Sequence, residues 1–386
     1  MKKNAPLILP IAGRIDSSNA ANVETELLAR LAGCDDAVVL DAETLEYISS
    51  AGLRVILRLR KQFPSLEIIN VSAEVYDIFE MTGFSEIIPI TRAYRKLSVE
   101  GCEVIGQGAN GKVYRLDPDT IIKVYLNPDS LPDIQREREL ARRAFVLGVP
   151  TAIPYDVVRV GDGYGSVFEL LNSRSLAKLI AANPERIEEY VKLSVDLLKL
   201  IHRTEVSPED MPDIKQTVLG WADFLQEYLP AEKYEKLHAL IAAVPERHTM
   251  IHGDYHVKNV MMQNDEALLI DMDTLSQGHP IFEFASIYNA YLGFSALDPS
   301  VSGQFLGIDH RLSVRFWDET LRLYFDTADA AFLSSIEDKA ALLGYTRLMR
   351  RLIRRGGLEN VSSRSIVEFY KQQIETLLDR VDTLNF

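Results

Sequence analysis

The sequence predicts two domains of different class: an α/β unit over residues 1–95, and an α+β unit built as two lobes over residues 96–386, the lobes dividing between 172 and 173. Three observations carry this expectation. Short apolar strands alternate with amphipathic helices through the first hundred residues, a glycine-rich strand-turn-strand pattern opens the next stretch, and helical periodicity dominates from about residue 185. A chain of 386 residues exceeds the usual single core, and its 47% hydrophobic and 25% charged residues are ordinary for a globular protein.

In the first unit, residues 7–13 (LILPIAG) read as a strand. Residues 20–31 read as a helix with Val23, Leu27 and Leu31 on one face, and AVVLD at 37–41 as a second strand. From Tyr47 the run YISSAGLRVILRLRK places a helix start near Ser50, and the strand LEIINV and helix AEVYDIFEMTG complete the alternation. With Gly13, Arg14, Ile15 and Asp16 after the first strand, and Ser49, Ser50, Ala51, Gly52 and Leu53 entering a helix, residues 5–92 resemble a STAS domain, the module of anti-sigma factor antagonists. The resemblance implies a regulatory module that binds proteins or occasionally small ligands and whose serine, here Ser50, is a phosphorylation site in some relatives. Ser49 stands where many antagonists carry Asp. A helix N-terminus suits a phosphoserine, and Ser50 as a simple N-cap is the plainer expectation. The join falls in the polar, basic stretch 91–101.

The second unit opens with IGQGANGKVYRL, in which Gly106, Gly108 and Gly111 form G-x-G-x-x-G. A dinucleotide-binding turn of that form must open a helix, whereas Lys112–Leu116 continues as a strand and returns through a turn at 117–120 into a second strand, Ile121–Tyr125. The pattern therefore predicts a hairpin lid over phosphates. Lys123 sits inside the second strand, where a central cation in an apolar run calls for a buried anion, assigned to the α- and β-phosphates of ATP. A carboxylate on the following helix would fix it, and Glu137 and Glu139 both qualify, although residues two apart cannot share a helix face.

The most informative segment is HGDYHVKN at 252–259, followed by IDMD at 270–273. Phosphoryl transfer asks a protein mainly for positioning and charge neutralisation. Asp254 would face the attacking hydroxyl, while Asn259, five residues on as in the HRDxxxxN loop of protein kinases, and Asp271 would offer a neutral and a charged oxygen to Mg²⁺. Asp271 follows the strand-like run 267–270, with a turn at 263–266, so a hairpin brings it to Asn259. His252 and His256 are expected to order this loop, and Asp273 to be an auxiliary ligand or a turn acid.

On these motifs, residues from about 100 to the C-terminus resemble the aminoglycoside phosphotransferase and choline kinase family, distant relatives of protein kinases. The resemblance implies a protein-kinase-like bilobal fold, ATP and Mg²⁺ as cofactors, and a small-molecule hydroxyl acceptor. Family spacing ahead of Gly148, Val149 and Pro150 favours Glu137 over Glu139 as the partner of Lys123. The segment from Tyr164 resembles the hinge strand that meets adenine, placing Glu169 and Leu171 at the nucleotide. Glu283 occupies a place the family often fills with Asp and reads first as a structural helix residue. No APE-like segment follows Asp273, which disfavours a conventional protein kinase. Two other functional classes stay open: a protein-directed kinase acting on a partner or on Ser50, and a noncatalytic nucleotide sensor.

A net charge of −14 argues against nucleic-acid binding. Arg347, Arg350, Arg351, Arg354 and Arg355 recur at helical spacing, as a solvated face or as a site for an acidic or phosphorylated substrate. Helices are expected at 187–202, 220–228, 233–243, 282–291, 312–325 and 366–384, and Trp221, Tyr288, Tyr291, Trp317 and Tyr324 are either core or acceptor-lining aromatics. Cys34 and Cys102 form no metal or disulfide pattern, and no signal-like or membrane-length apolar run is visible, so a cytoplasmic location without membrane insertion is expected.

Overall fold

The computed structural model describes residues 6–33, 37–108, 111–170, 173–264 and 266–386. Two compact units emerge, Met1–Glu100 with Val157–Tyr164, and Gly101–Asp156 with Gly165–Phe386. Each has its own apolar core.

In the first unit, β1 (Leu7–Ile15), α1 (Ala20–Arg30), β2 (Val38–Ile48), α2 (Ser50–Gln62), β3 (Glu67–Val71), α3 (Ala73–Met81) and β4 (Ile90–Arg92) alternate. The strands lie in the order β1-β2-β3-β4, each pair parallel, as strands joined by crossover helices must be. β2 runs seven residues beyond the expected end at 41, and its last residue, Ile48, pairs with Ile15. The Ile15 carbonyl accepts from Ser49 N–H at 2.9 Å. Ser49, not Ser50, is the N-cap of α2: its hydroxyl accepts from Ala51 N–H at 3.2 Å and Gly52 N–H at 3.5 Å, which leaves Ser50 exposed at the first helical position. Beyond β4, Leu97 N–H donates to the Arg159 carbonyl and Arg159 N–H to that of Arg95.

Further along the chain a five-stranded sheet is formed by β5 (Glu103–Gln107), β6 (Gly111–Arg115), β7 (Thr120–Tyr125), β8 (Pro154–Val160) and β9 (Gly163–Glu169), in the order β5-β6-β7-β9-β8, with the stretch Val157–Tyr164 counted in the first unit. The helix α4 (Leu131–Val146) intervenes between β7 and β8. There follow β10 (Arg174–Ser175), α5 (Leu176–Ala182), α6 (Ile187–Arg203), α7 (Ile214–Phe224), α8 (Ala231–Ala242), β11 (Met250–Ile251), β12 (Val260–Gln263), β13 (Glu266–Leu269), β14 (Ser276–Gln277), α9 (Ile281–Tyr288), α10 (Ser300–Leu306), α11 (His310–Phe325), α12 (Ala330–Arg354) and α13 (Val361–Leu378).

Three helices depart from the expectation for one reason, their caps. Asp213 accepts from Lys215 N–H at 2.8 Å and starts α7 six residues early, while Asn360 accepts from Ser363 N–H at 2.8 Å and starts α13 five residues early. Asp329, bonded to Ala331 and Phe332 N–H, opens the 25-residue α12, of which the sequence pattern marks only the arginine-rich end. Apolar periodicity is silent over polar first turns, and the cap side chains are what fix these starts. Among the described residues, no helix is long and apolar enough to cross a membrane.

Candidate active site

Lys123 lies at the centre of β7, opposite Val113 on one side and Ser166 on the other. Its ammonium is 3.1 Å from Glu137 Oε1 and 2.8 Å from Asp271 Oδ1. Burial alone would lower its pKa, but the carboxylates of Glu137 and Asp271 outweigh burial and raise it, so the lysine is a fixed cation. Glu137 faces inward from α4 and also accepts from Tyr125 Oη at 2.7 Å. Glu139 instead pairs with Arg142 and Arg143 on the surface, their hydrogen bonds holding its carboxyl down at about 2.

The loop 252–259 is held from several sides. His252 Nδ1 accepts from Asp254 N–H at 3.3 Å, and its Nε2 lies 3.3 Å from the Ile270 carbonyl. Gly253 has φ +81°, and a Cβ there would stand 2.7 Å from the Thr274 carbonyl oxygen, so both backbone and space demand glycine. Asn259 Nδ2 donates to the Asp254 carbonyl at 3.0 Å, and the Asn259 carbonyl accepts from Ile270 N–H at 3.0 Å. The β12–β13 hairpin pairs Val260 with Leu269, so the next residues outward on each strand lead to Asn259 and Asp271. Asp271 takes the left-handed conformation, φ +65°, a strained state for a non-glycine residue that often marks a working position.

Burial pushes the Asp254 carboxyl up, but His256, 3.6 Å away, together with Arg347 and His252, holds it well below the usual carboxylate range. Asp273 goes the other way. Burial, then the negative charges of Asp271 and Glu137, push it up to about 7, with Lys123 opposing. Asp254, Asp271, Asp273 and Glu137 thus form an acidic centre with Lys123 as its fixed cation.

The model of the phosphotransferase enzyme family matches residues 101–318, more than half of the chain, and that of the STAS domain matches residues 2–97. The chain belongs to the phosphotransferase enzyme family. Its N-terminal part is a STAS domain, 36% identical over 96 residues to BtrV of Bordetella bronchiseptica, a protein named as an anti-sigma factor antagonist, with 24% of this chain and 83% of that protein covered. Among solved structures, aminoglycoside phosphotransferase APH(4)-Ia aligns at 12% identity and TM-score 0.51 over 72% of this chain and 93% of its own. A thermostable mutant of it, in ternary complex with ADP and hygromycin B, aligns at 11% identity and TM-score 0.51 over 79% and 97%. These likenesses concern the fold, which is the bilobal kinase-like one expected.

The three glycines of the phosphotransferase's first hairpin are not equivalent. Gly108 N–H donates to the Gly111 carbonyl at 2.9 Å; a Cβ on Gly108 meets open space, and one on Gly106 meets Val113 at an ordinary 3.6 Å. A Cβ on Gly111 would stand 2.5 Å from the Val124 carbonyl oxygen. Gly111→Ala should therefore cost about 1–3 kcal/mol by forcing β6 off β7, whereas Gly108→Ala should leave the thermal midpoint in place. Equal midpoints for the two variants would refute this assignment. Glu169 ends β9 opposite Thr120, and the next amide, Leu170 N–H, is committed to the Asp119 carbonyl at 2.7 Å. Leu171 lies outside the described residues.

Two side chains at this site carry more than the sequence reading gave them. Glu283, expected to be structural first, is fully buried in α9 and accepts from His252 N–H at 2.6 Å and Gly253 N–H at 3.0 Å, so it clamps the loop that presents Asp254. Arg347, expected on a solvated face or at an acidic substrate, donates from Nη1 to the Gly253 carbonyl at 3.0 Å and to Ser286 Oγ at 3.1 Å. The available signal was a lone acid in the otherwise apolar run PIFEFASIY. Of the aromatics, Trp317, Tyr288 and Tyr291 are core, Tyr291 also accepting from Val257 N–H at 3.2 Å, while Trp221 lines a cavity beside the loop.

Proposed function

We propose that this protein transfers the γ-phosphoryl group of ATP to a hydroxyl of a small molecule, with the STAS domain binding a protein partner that regulates it. The observation that carries the reading is the convergence of Lys123, Glu137 and Asp271 within 3.1 Å, tied through the β12–β13 hairpin to Asn259 and Asp254. Lys123 holds the nucleotide's phosphates, and Glu137 holds Lys123. Asp254 accepts the hydrogen bond of the acceptor hydroxyl and orients its oxygen at the γ-phosphorus. As the bond from that oxygen to phosphorus forms, the bond from phosphorus to the β–γ bridging oxygen breaks, the hydroxyl proton passes to Asp254 and ADP leaves.

Asn259 and Asp271 are the residues that would hold Mg²⁺. Among the described residues there is no cluster of three or more His, Cys, Asp or Glu able to cage a metal, and two oxygen ligands completed by phosphate oxygens are what Mg²⁺ uses in such sites. When bound, the ion neutralises charge on the phosphates.

The deciding experiment is ADP release by the purified full-length protein with MgATP and a library of hydroxyl compounds. Release with none of them, together with no MgATP binding in calorimetry, overturns the reading. Lys123→Ala should lower kcat/KM for ATP about 10–100-fold, the worth of a lost charge-assisted contact. Unchanged kinetics would remove Lys123 from the nucleotide site. A second reading, phosphorylation of Ser50, is favoured by the free hydroxyl that the cap on Ser49 leaves exposed. Phosphopeptide mass spectrometry after incubation with MgATP separates the two.

A further inference from the structure

We propose that the phosphoryl acceptor is anionic, a hydroxyl compound that also carries a carboxylate or phosphate group, and that Arg136 and Arg347 bind that group. The inference builds on the phosphotransfer reading above and names its substrate class. A cavity of about 270 Å³ opens beside the Asp254 loop, lined among others by Arg136, Thr217, Trp221, Gly253, Asp273 and Arg347. A larger cavity of about 530 Å³, bounded by Arg174, Leu179, Arg186 and Tyr190, includes none of the residues around Asp254.

Position is what distinguishes the smaller cavity: it opens at Gly253, next to Asp254, and Arg136 and Arg347 line it, whereas Arg350 and Arg351 do not. Arg347, Arg350 and Arg351 share one face of α12, and each guanidinium lies over an aromatic ring: Trp221 at 5.6 Å, Phe224 at 5.8 Å and Phe294 at 5.8 Å. Among the described residues none of these three, nor Arg136, forms an ion pair, although the chain has 56 acidic side chains against 42 basic ones. Arg350 Nε is buried with no hydrogen-bond partner. Burial and then neighbouring arginines disfavour the charge of Arg350, beside Arg354 and Arg347, and of Arg351, beside Arg355 and Arg347, and for Arg351 the Asp254 carboxylate partly compensates. Arg347 and Arg350 are partly buried and Arg350 is crowded by other arginines, an arrangement that a bound anion relieves.

Geometry points that anion at the acceptor. Arg347 spends Nη1 on Gly253 and Ser286, leaving Nε and Nη2 for a ligand, and it lies within electrostatic reach of Asp254. Guanidinium forks match carboxylate and phosphate oxygens bidentately. An anion held there, with the molecule's body against Trp221, brings its hydroxyl to Asp254 for the transfer balanced above.

The test uses the full chain and acceptors matched in size. Glycerate and glycerol 3-phosphate are compared with glycerol and ethanolamine, by ADP release with MgATP and by calorimetric titration into MgADP-loaded protein. Expected are binding and turnover confined to the anions, an acceptor affinity that falls as salt rises, and a 10–100-fold weaker acceptor affinity in Arg136→Gln with ATP affinity unchanged. Arg347→Lys, which keeps the charge but loses the fork, should fall between wild type and Arg347→Gln. Preference for glycerol or ethanolamine, equal response to all four, no anion binding to the MgADP-loaded protein, or unaltered anion affinity in Arg136→Gln would each overturn the proposal. Failure of MgATP binding itself would instead sink the phosphotransfer reading beneath it.

Discussion

Asp254→Asn should bind MgATP with wild-type affinity, to within about threefold, and transfer phosphate about 10²–10⁴ times more slowly, the span that one positioned proton acceptor contributes. The asparagine keeps the size and the backbone, so Asn259 Nδ2 can still donate to the carbonyl of residue 254 and the loop keeps its shape. What is lost is the negative oxygen that receives the hydroxyl's hydrogen bond. Because His256, Arg347 and His252 hold the carboxyl below its usual range against burial, Asp254 is a weak base, suited to orienting the nucleophile and taking its proton late in a loose transition state. The sign of the pH dependence follows. A depressed pKa means the charged form persists throughout the range above the ordinary value of 3.8, so no acid limb of kcat/KM near neutrality belongs to Asp254. His256→Gln removes the largest of the influences holding the carboxyl down and should move such a limb upward. A normally active Asp254→Asn, or one that no longer binds nucleotide, would count against the role.

The residues that sequence reading assigned to this site were those whose chemistry is spelled by spacing. Asp254 and Asn259 stand five apart on one loop, Asp271 follows a short apolar strand, and Lys123 interrupts an apolar strand; local pattern suffices for each. The strand-turn-strand reading of residues 112–125 likewise follows from turn residues, and the structure has β6 and β7 there. Illegible were contacts made by residues far apart in the chain. Arg347 reaches Gly253 across 94 positions and Glu283 reaches it across 30, and no local pattern encodes either meeting. Gly111 shows a further limit: as a letter in G-x-G-x-x-G it reads as part of a phosphate lid, yet the space at its Cα is closed by the neighbouring strand.

Glu283→Ala is expected to be the most damaging single change to the fold of the second unit. The carboxylate has no exposed surface, and its two oxygens take the N–H groups of His252 and Gly253 at 2.6 and 3.0 Å. Truncation leaves two buried donors without partners at about 1–3 kcal/mol each, so about 2–6 kcal/mol in all, against a total domain stability of about 5–15 kcal/mol. Glu283→Gln retains one acceptor oxygen and should lose about half as much. Denaturant midpoints of the three proteins give the order. A purely structural role would end there, but the clamp predicts more. The amides released are the two residues before Asp254, so their hydrogen exchange should accelerate in Glu283→Gln under conditions where α6 and α12 remain protected. Phosphoryl transfer should then fall further than nucleotide affinity, because Lys123 and Glu137 sit on other elements and keep their 3.1 Å contact. Exchange accelerating uniformly through the unit, or turnover and nucleotide binding falling in step, would show that Glu283 supports the core and not the loop.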